Sequence, residues 1–124
     1  MRTKAKIGIN INDDDQAFTA QILSGSKTIE TRKTPSLRPY IGKTVGIIRT
    51  GKKAQATLVG FAKIESETFY STKQEFDEAQ SLHLVAPGSA HYGDGVKFGY
   101  KLTNVKRVRP RPITTLGIVS RKLN

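Results

Sequence analysis

Residues 22–32, which read ILSGSKTIETR, carry the most structural information in this chain of 124 residues. At the start of this stretch, Phe18 and Ile22 stand four residues apart, a spacing that places them on one face of a helix. Gly25 then supplies the left-handed conformation in which many helices end. The residues that follow alternate in character, which predicts a strand over 28–33. The stretch is therefore a junction between a helix and a strand.

Three charged side chains meet at this junction. Lys27 lies between the helix and the strand, and Glu30 and Arg32 are two residues apart, so they share one face of the strand. The guanidinium of Arg32 offers a planar pair of donors to a carboxylate or a phosphate. The structural alternative is a surface ion pair worth about 0–1 kcal/mol.

The same junction resembles the signature of the ASCH domain, a branch of the PUA-like superfamily. That signature is a helix that ends in G-x-K-x-x-E-x-R as the chain enters a strand. Four residues match its letters in turn: Gly25, Lys27, Glu30 and Arg32. The resemblance continues in residues 42–47, which are similar to the family's G-d-x-v strand, and in residues 98–105, which are similar to its closing strand.

The resemblance implies an α+β fold, namely a small PUA-like β-barrel of five or six strands flanked by two or three short helices. It also implies a cleft beside the signature that holds nucleic acid or a modified base. The roles known or proposed in the family are RNA binding, ribonuclease activity and, in one branch, hydrolysis of acetylcytidine.

Periodicity and capping signals predict the elements of the remaining chain. The predicted elements are strands over 4–11, 28–33, 44–50, 54–66 and from 96 onward, and helices over 14–24 and 72–84. Residues 13–15, all Asp, cap the first helix, and Thr72 with Glu75 has the capping-box spacing for the second. The alternation slips near Asn104, which predicts a bulge. We read residues 1–124 as one domain with a basic C-terminal tail from about 109.

The charge of the chain is strongly positive and unevenly distributed. Lys and Arg number 21 against 10 Asp and Glu, a formal net charge of +11, and no acidic residue follows Asp94. Such a basic surface attracts polyanions, and nucleic acid above all. RNA or another single-stranded nucleic acid is therefore the predicted partner. A basic adaptor for acidic proteins is the alternative from another functional class.

Composition excludes several other classes. The chain has no Cys, which excludes disulfides, a thiolate nucleophile and Cys-ligated zinc. Its apolar runs are far shorter than the about 20 residues that span a bilayer, and no signal peptide is recognisable. His83 and His91 are too few for a histidine metal site, and His83 shares an apolar face, so a structural role is favoured. We expect a cytoplasmic protein with no cofactor, metal or membrane contact.

The predicted nucleic-acid-binding residues combine the signature with cations and tyrosines elsewhere in the chain. They are Lys27, Glu30, Arg32, Tyr40, Lys43, Tyr92, Lys97, Lys101, Arg109 and Arg111. Tyr92 lies in a glycine-rich loop over 85–95, where its ring could stack on a bound base.

A ribonuclease would use the same junction, with Lys27 and Glu30 as catalytic residues. Lys27 or Arg32 would stabilise the pentavalent phosphate. Lys27, Glu30 or a tyrosine such as Tyr40 or Tyr92 would take the proton from the ribose hydroxyl. The sequence leaves open whether the protein is an enzyme.

Acetylcytidine hydrolysis is less favoured. The related enzymes use a Lys, a Thr three residues later, and a Glu further along the chain. Lys27 matches the lysine, but Glu30 stands at the threonine position, so the hydroxyl expected to act as nucleophile is replaced by a negative charge. The later acid would be Glu75, Asp77 or Glu78.

Overall fold

A mixed sheet of six strands forms the body of the molecule. The computed structural model describes residues 5–87, 92–94 and 96–123. The strands are β1 (Ile7–Asn12), β2 (Ile29–Arg32), β3 (Thr44–Gly51), β4 (Ala54–Tyr70), β5 (Lys97–Pro112) and β6 (Ser120–Lys122). The helices are α1 (Phe18–Ser24), α2 (Lys73–Glu78) and α3 (Gln80–His83), and a short 3-10 turn spans Arg38–Tyr40.

The strands lie in the order β2-β5-β4-β3-β1-β6. The pairing of β1 with β3 is parallel, and the other four pairings are antiparallel. Six strands and short helices confirm the α+β class, but no backbone pairing joins β2 to β6 within the described ranges. The sheet is therefore open, and the expected closed barrel is not confirmed. A physical reason is the shortness of β6, which covers only residues 7–9 of β1.

The first helix begins later than predicted. The expected helix over 14–24 starts at Phe18, because the acidic residues before it act from the preceding loop. Asp13 accepts hydrogen bonds from the backbone N and the hydroxyl of Thr19, while Asp14 accepts from the backbone N of Lys52 at 3.1 Å. These carboxylates satisfy backbone donors, which agrees with a structural role rather than a cation site.

The second predicted helix is divided in two. At Ala79 the chain turns from α2 into α3, so the expected helix over 72–84 is not continuous. The predicted capping box is confirmed at its start, where the hydroxyl of Thr72 accepts from the backbone N of Glu75 at 3.1 Å. The bulge near Asn104 is also confirmed, because that residue has a φ of 51° and the register shifts beside it.

The segment described above as a basic tail is built into the sheet. Residues 109–112 continue β5, Ile113 is buried, and Ser120–Lys122 form β6 beside β1. Strand β6 has three polar residues, so it carries no alternating apolar pattern that could have predicted it.

Two apolar clusters pack against the sheet. The larger includes Ile9, Ile47 and Tyr100 with Phe18 and Ile22 of α1, so the helix before the charged junction is anchored in the core. The smaller cluster consists of Ile48, Ala56, Leu58 and Ile113. Among the described residues, no helix has the length and apolar character needed to cross a membrane.

Gly25 provides a test of how the junction is built. Its φ is +87° and its amide donates to the Ile22 carbonyl, so it ends α1 in the left-handed conformation as predicted. A Cβ added there would meet no atom within 4 Å, so a side chain is opposed by backbone strain rather than by crowding. We expect Gly25→Val to lower the free energy of unfolding by about 1–2 kcal/mol in urea titrations. Gly25→Asn, which tolerates this conformation better, should cost less, and equal costs would contradict this explanation.

Candidate functional site

A cavity of about 320 Å³ lies where the two ends of the sheet approach each other without pairing. Its lining residues come from strands β1, β2, β3 and β6, from helix α1, and from the loops next to these elements. These are Asn10, Asn12, Phe18, Lys27, Glu30, Thr31, Arg32, Thr50, Val85, Gly117, Ile118 and Arg121. The charged residues of the sequence signature therefore form one wall of the cavity.

Arg32 links β2, at one edge of the sheet, to β1, which lies next to the other edge. Its Nη2 donates to the backbone carbonyl of Asn10 on β1 at 2.7 Å, and its Nε donates to Glu30 Oε2 at 3.1 Å. The Tyr40 hydroxyl forms a second link, 2.9 Å from the Ser120 hydroxyl. Side chains thus connect the ends that a closed barrel would join through backbone hydrogen bonds.

Lys27 is buried in the cavity wall, with 1% of its side chain exposed. Its Nζ donates to the His83 carbonyl at the end of α3, lies 3.8 Å from Glu30 Oε1, and sits 4.6 Å from the centre of the Phe18 ring. Burial lowers the pKa of Lys27, nearby Glu30 opposes that shift, and Arg32 adds to it. Lys27 is therefore an amine held within a low-dielectric wall beside a carboxylate.

Local backbone contacts explain why Lys27 points inward. After the turn at Gly25, the amide of Lys27 donates to the Gln21 carbonyl and the amide of Thr28 donates to the Leu82 carbonyl, each at 3.0 Å. These bonds hold the junction against the end of α3. The side chain of Lys27 can then satisfy a terminal carbonyl of that helix, as cations commonly do at helix C-termini.

His83 is a structural residue in this arrangement, as expected. Its ring is stacked on Phe76 with centroids 3.9 Å apart, its Nε2 pairs with the Phe76 carbonyl at 2.8 Å, and its Nδ1 accepts from the Val85 amide at 2.9 Å. Burial lowers its pKa. No group of His, Asp or Glu that could hold a metal ion occurs in the ranges that the structure describes.

The balance of charge in the cavity is positive. Three cations, Lys27, Arg32 and Arg121, face one carboxylate, Glu30, among the lining residues. With Lys27 protonated, three minus one leaves an excess of two positive charges. Arg121 is held in place because its Nε donates to Asn10 Oδ1 at 3.0 Å and its Nη1 donates to the Thr115 carbonyl at 2.7 Å.

The structure brings three of the ten predicted site residues together in the cavity and places the other seven elsewhere. The seven are Tyr40, Lys43, Tyr92, Lys97, Lys101, Arg109 and Arg111. Arg109 and Arg111 line a separate shallow groove beside Leu58 and Phe61. Lys97 is buried, and burial lowers its pKa.

Tyr92 does not have the exposed ring that base stacking requires. It is 5% exposed, its ring lies edge-on to Phe76, and its hydroxyl donates to Asp77. The neighbouring His91 and Gly95 of the predicted glycine-rich loop lie outside the described residues.

The acids considered for acetylcytidine hydrolysis also lie outside the cavity lining. Glu75 accepts from Ser71 and Thr72, while Asp77 accepts from Tyr92. Glu30, at the position of the threonine nucleophile, is ion-paired with Arg32. The geometry therefore adds no support to that activity.

Sequence reasoning missed the wall of the cavity contributed by β1 and β6. Asn10, Asn12 and Arg121 belong to it, and Arg121 lies in the segment that the sequence predicts as a basic tail. A signal for the asparagines exists, since they alternate with isoleucines in residues 9–12 and so place polar side chains on one face of a strand.

Comparison with solved structures identifies the fold. The chain superimposes on the crystal structure of ASCH from Zymomonas mobilis with a TM-score of 0.71 and 17% identity, over 95% of this chain and 87% of that one. A tyrosine-to-phenylalanine variant of the Zymomonas protein gives a TM-score of 0.74 at 16% identity, over 98% of this chain and 91% of that one. A serine-to-alanine variant gives a TM-score of 0.67 at 17% identity, over 100% of this chain and 92% of that one. No protein-family model matches the sequence, and no curated protein is found to be similar. The chain therefore has the ASCH-domain fold.

Burial of His83 predicts a pH dependence of stability. Its pKa is lowered in the folded protein below the ordinary 6.5, so the unfolded chain takes up a proton first as the pH falls. The free energy of unfolding should decrease as the pH falls through 6.5, measured by urea denaturation at pH values above the ordinary carboxyl pKa of 4.5. A His83→Gln variant should show a shallower decrease, and a wild-type stability that rises on acidification would contradict the explanation.

The pKa of Lys27 should depend on Glu30. Because the carboxylate raises that pKa against the effect of burial, Glu30→Gln should lower it further. The titration can be followed by NMR of the Lys27 amine nitrogen. Glu65→Gln, which removes an exposed carboxylate bonded to Thr103, is the matched control and should leave Lys27 unchanged. Equal titration curves for wild type and Glu30→Gln would show that Glu30 does not act on Lys27.

Proposed function

We propose that the protein binds single-stranded RNA, with one nucleotide in the cavity lined by Lys27, Glu30, Arg32 and Arg121. The observation that carries this proposal is the excess of positive charge in a cavity of about 320 Å³. A concave site of this size suits a small part of a polyanion rather than a duplex. The ASCH-domain fold and the net charge of +11 support the same class of ligand.

The four charged residues have different roles in this proposal. Arg32 uses two of its five N–H donors in its bonds to Glu30 and Asn10, and its guanidinium and that of Arg121 meet a phosphate. Glu30 accepts a hydrogen bond from a base edge or a ribose hydroxyl. Lys27, which is buried in the cavity wall, contributes positive charge to the site without being exposed.

A ribonuclease is a second candidate, favoured by the lowered pKa of Lys27 beside Glu30. An amine whose pKa lies closer to neutrality is a better general base for a ribose hydroxyl than an ordinary lysine. Binding and cleavage would use the same cavity, so the two candidates differ in whether the phosphodiester is broken.

Two neighbouring cations of β6 test the binding site. Arg121 lines the cavity, whereas Lys122 is exposed outside it, so Arg121→Gln and Lys122→Gln each remove one positive charge from adjacent positions. By fluorescence anisotropy with labelled single-stranded RNA, Arg121→Gln should weaken binding by about 1–3 kcal/mol and Lys122→Gln by a few tenths. Thermal unfolding of both variants should confirm that they fold.

Equal losses of affinity for the two variants would place binding on the general basic surface instead of in the cavity.

The salt dependence of RNA binding is a separate test. With four to six phosphates engaged, the logarithm of the affinity should fall with the logarithm of salt concentration with a slope of about −3 to −4. A flat response would contradict RNA binding and favour an adaptor for acidic proteins.

Cleavage is tested by incubating labelled RNA with the purified protein, with and without EDTA. Lys27→Met keeps most of the side-chain volume and removes the amine. If the protein is a ribonuclease, this variant should lose cleavage while it retains part of its binding. If the RNA stays intact after prolonged incubation with the wild type, the ribonuclease hypothesis is wrong and only the binding function remains.

A further inference from the structure

A pair of phenylalanine rings lies at the rim of the sheet, outside the cavity. Phe69 on β4 is 50% exposed, and its ring centre is 4.8 Å from that of Phe98 on β5 with an angle of 31° between the planes. Most large apolar side chains among the described residues are buried, so a half-exposed ring that packs at a tilt against a second ring is an unusual surface feature.

The sheet register connects these rings to the cavity. Arg32 on β2 lies directly opposite Phe98, and Phe98 lies directly opposite Phe69. Residues directly opposite on neighbouring strands have their side chains side by side on one face. The three side chains therefore form a row that begins at Arg32 in the cavity wall and ends at the exposed Phe69.

Arg38 completes this surface, and its position is fixed. Its guanidinium carbon is 5.9 Å from the centre of the Phe98 ring. Its Nη2 donates to Glu67 Oε2 at 2.8 Å and its Nε donates to the same carboxylate, while the Tyr100 hydroxyl donates to Glu67 Oε1 at 2.7 Å. With 57% of its side chain exposed, Arg38 presents a held cation beside the two rings.

We propose that Phe69, Phe98 and Arg38 form a stacking platform for the second base of a single-stranded RNA whose first nucleotide occupies the cavity. This inference rests on the proposed function and extends its site by one nucleotide. Aromatic rings and guanidinium groups are the side chains on which unpaired bases stack, and such stacking tolerates any base. The adjoining Arg32 would meet the phosphate between the two nucleotides.

The position of the platform favours RNA over an apolar protein segment. Cations stand on both sides of Phe98, Arg32 across the strand pair and Arg38 over the ring. The carboxylates beside these cations are already bonded, Glu30 to Arg32 and Glu67 to Arg38 and Tyr100. A ligand that carries negative charge next to flat rings matches this surface, whereas an apolar peptide would leave the guanidinium groups against uncharged surface.

Two substitutions of Phe69 separate the aromatic contribution from the apolar one. Phe69→Tyr keeps the ring, and Phe69→Leu keeps the apolar character but removes the ring. With a labelled uridine hexamer, we expect Phe69→Tyr to bind within about twofold of wild type and Phe69→Leu about tenfold more weakly, a loss within the range of base stacking. Leu82→Ser removes an exposed apolar side chain elsewhere and is the control, with affinity unchanged.

Uridine monophosphate, measured by NMR titration, distinguishes the platform from the cavity. This mononucleotide can occupy the cavity without reaching the platform, so Phe69→Leu should leave its affinity unchanged. Arg121→Gln should weaken the binding of both the mononucleotide and the hexamer. If Phe69→Leu binds the hexamer as well as Phe69→Tyr does, the stacking-platform proposal is wrong. An apolar protein contact then becomes the explanation for the exposed ring, while the cavity proposal stands. If wild type binds neither ligand, both proposals are wrong.

Discussion

The hydrogen bond from Arg32 to the Asn10 carbonyl holds together a sheet that the backbone does not close. Strand β6 is short and pairs only with the beginning of β1, so the last residues of β1 face β2 across a gap. A guanidinium can span such a gap and still bind a carboxylate, since its donors point in several directions. The cavity exists because the ends are joined by side chains, and the residue that joins them is also part of its wall.

Lys27 adds a second constraint on the same region. A buried ammonium is costly unless it is paired and hydrogen-bonded, and here the His83 carbonyl and Glu30 provide those contacts. Each partner is in turn fixed, because His83 is stacked on Phe76 and Glu30 is bonded to Arg32. These contacts hold the charged side chains of the cavity wall in place, which would lower the entropy that the proposed ligand binding must overcome.

The positively charged side chains of the molecule fall into two groups, those far from the cavity and those that line it. Most exposed cations predicted as binding residues lie on β5 or near the start of β3, away from the cavity. Under the proposed function, these cations would attract a polyanion from a distance and be screened by salt, whereas Arg32 and Arg121 would act at contact. In that proposal the overall charge accounts for the class of ligand, and the cavity accounts for the place of a specific contact.

By itself the sequence determined what depends on near neighbours in the chain. The left-handed turn at Gly25, the capping of α2 by Thr72 and the bulge at Asn104 were all predictable, because caps, turns and periodicity are local. The proximity of Lys27 and Glu30 was predictable for the same reason, as they are three positions apart in the chain.

Only the tertiary structure decided what depends on distant contacts. Arg121 meets Asn10 across 111 residues, and β6 is stabilised by pairing with β1 rather than by a pattern of its own. The burial of Tyr92 against Phe76 and the open sheet likewise follow from how distant elements pack. Local propensity is too weak to encode such pairings, since their free energy comes from surfaces that meet only after the chain has folded.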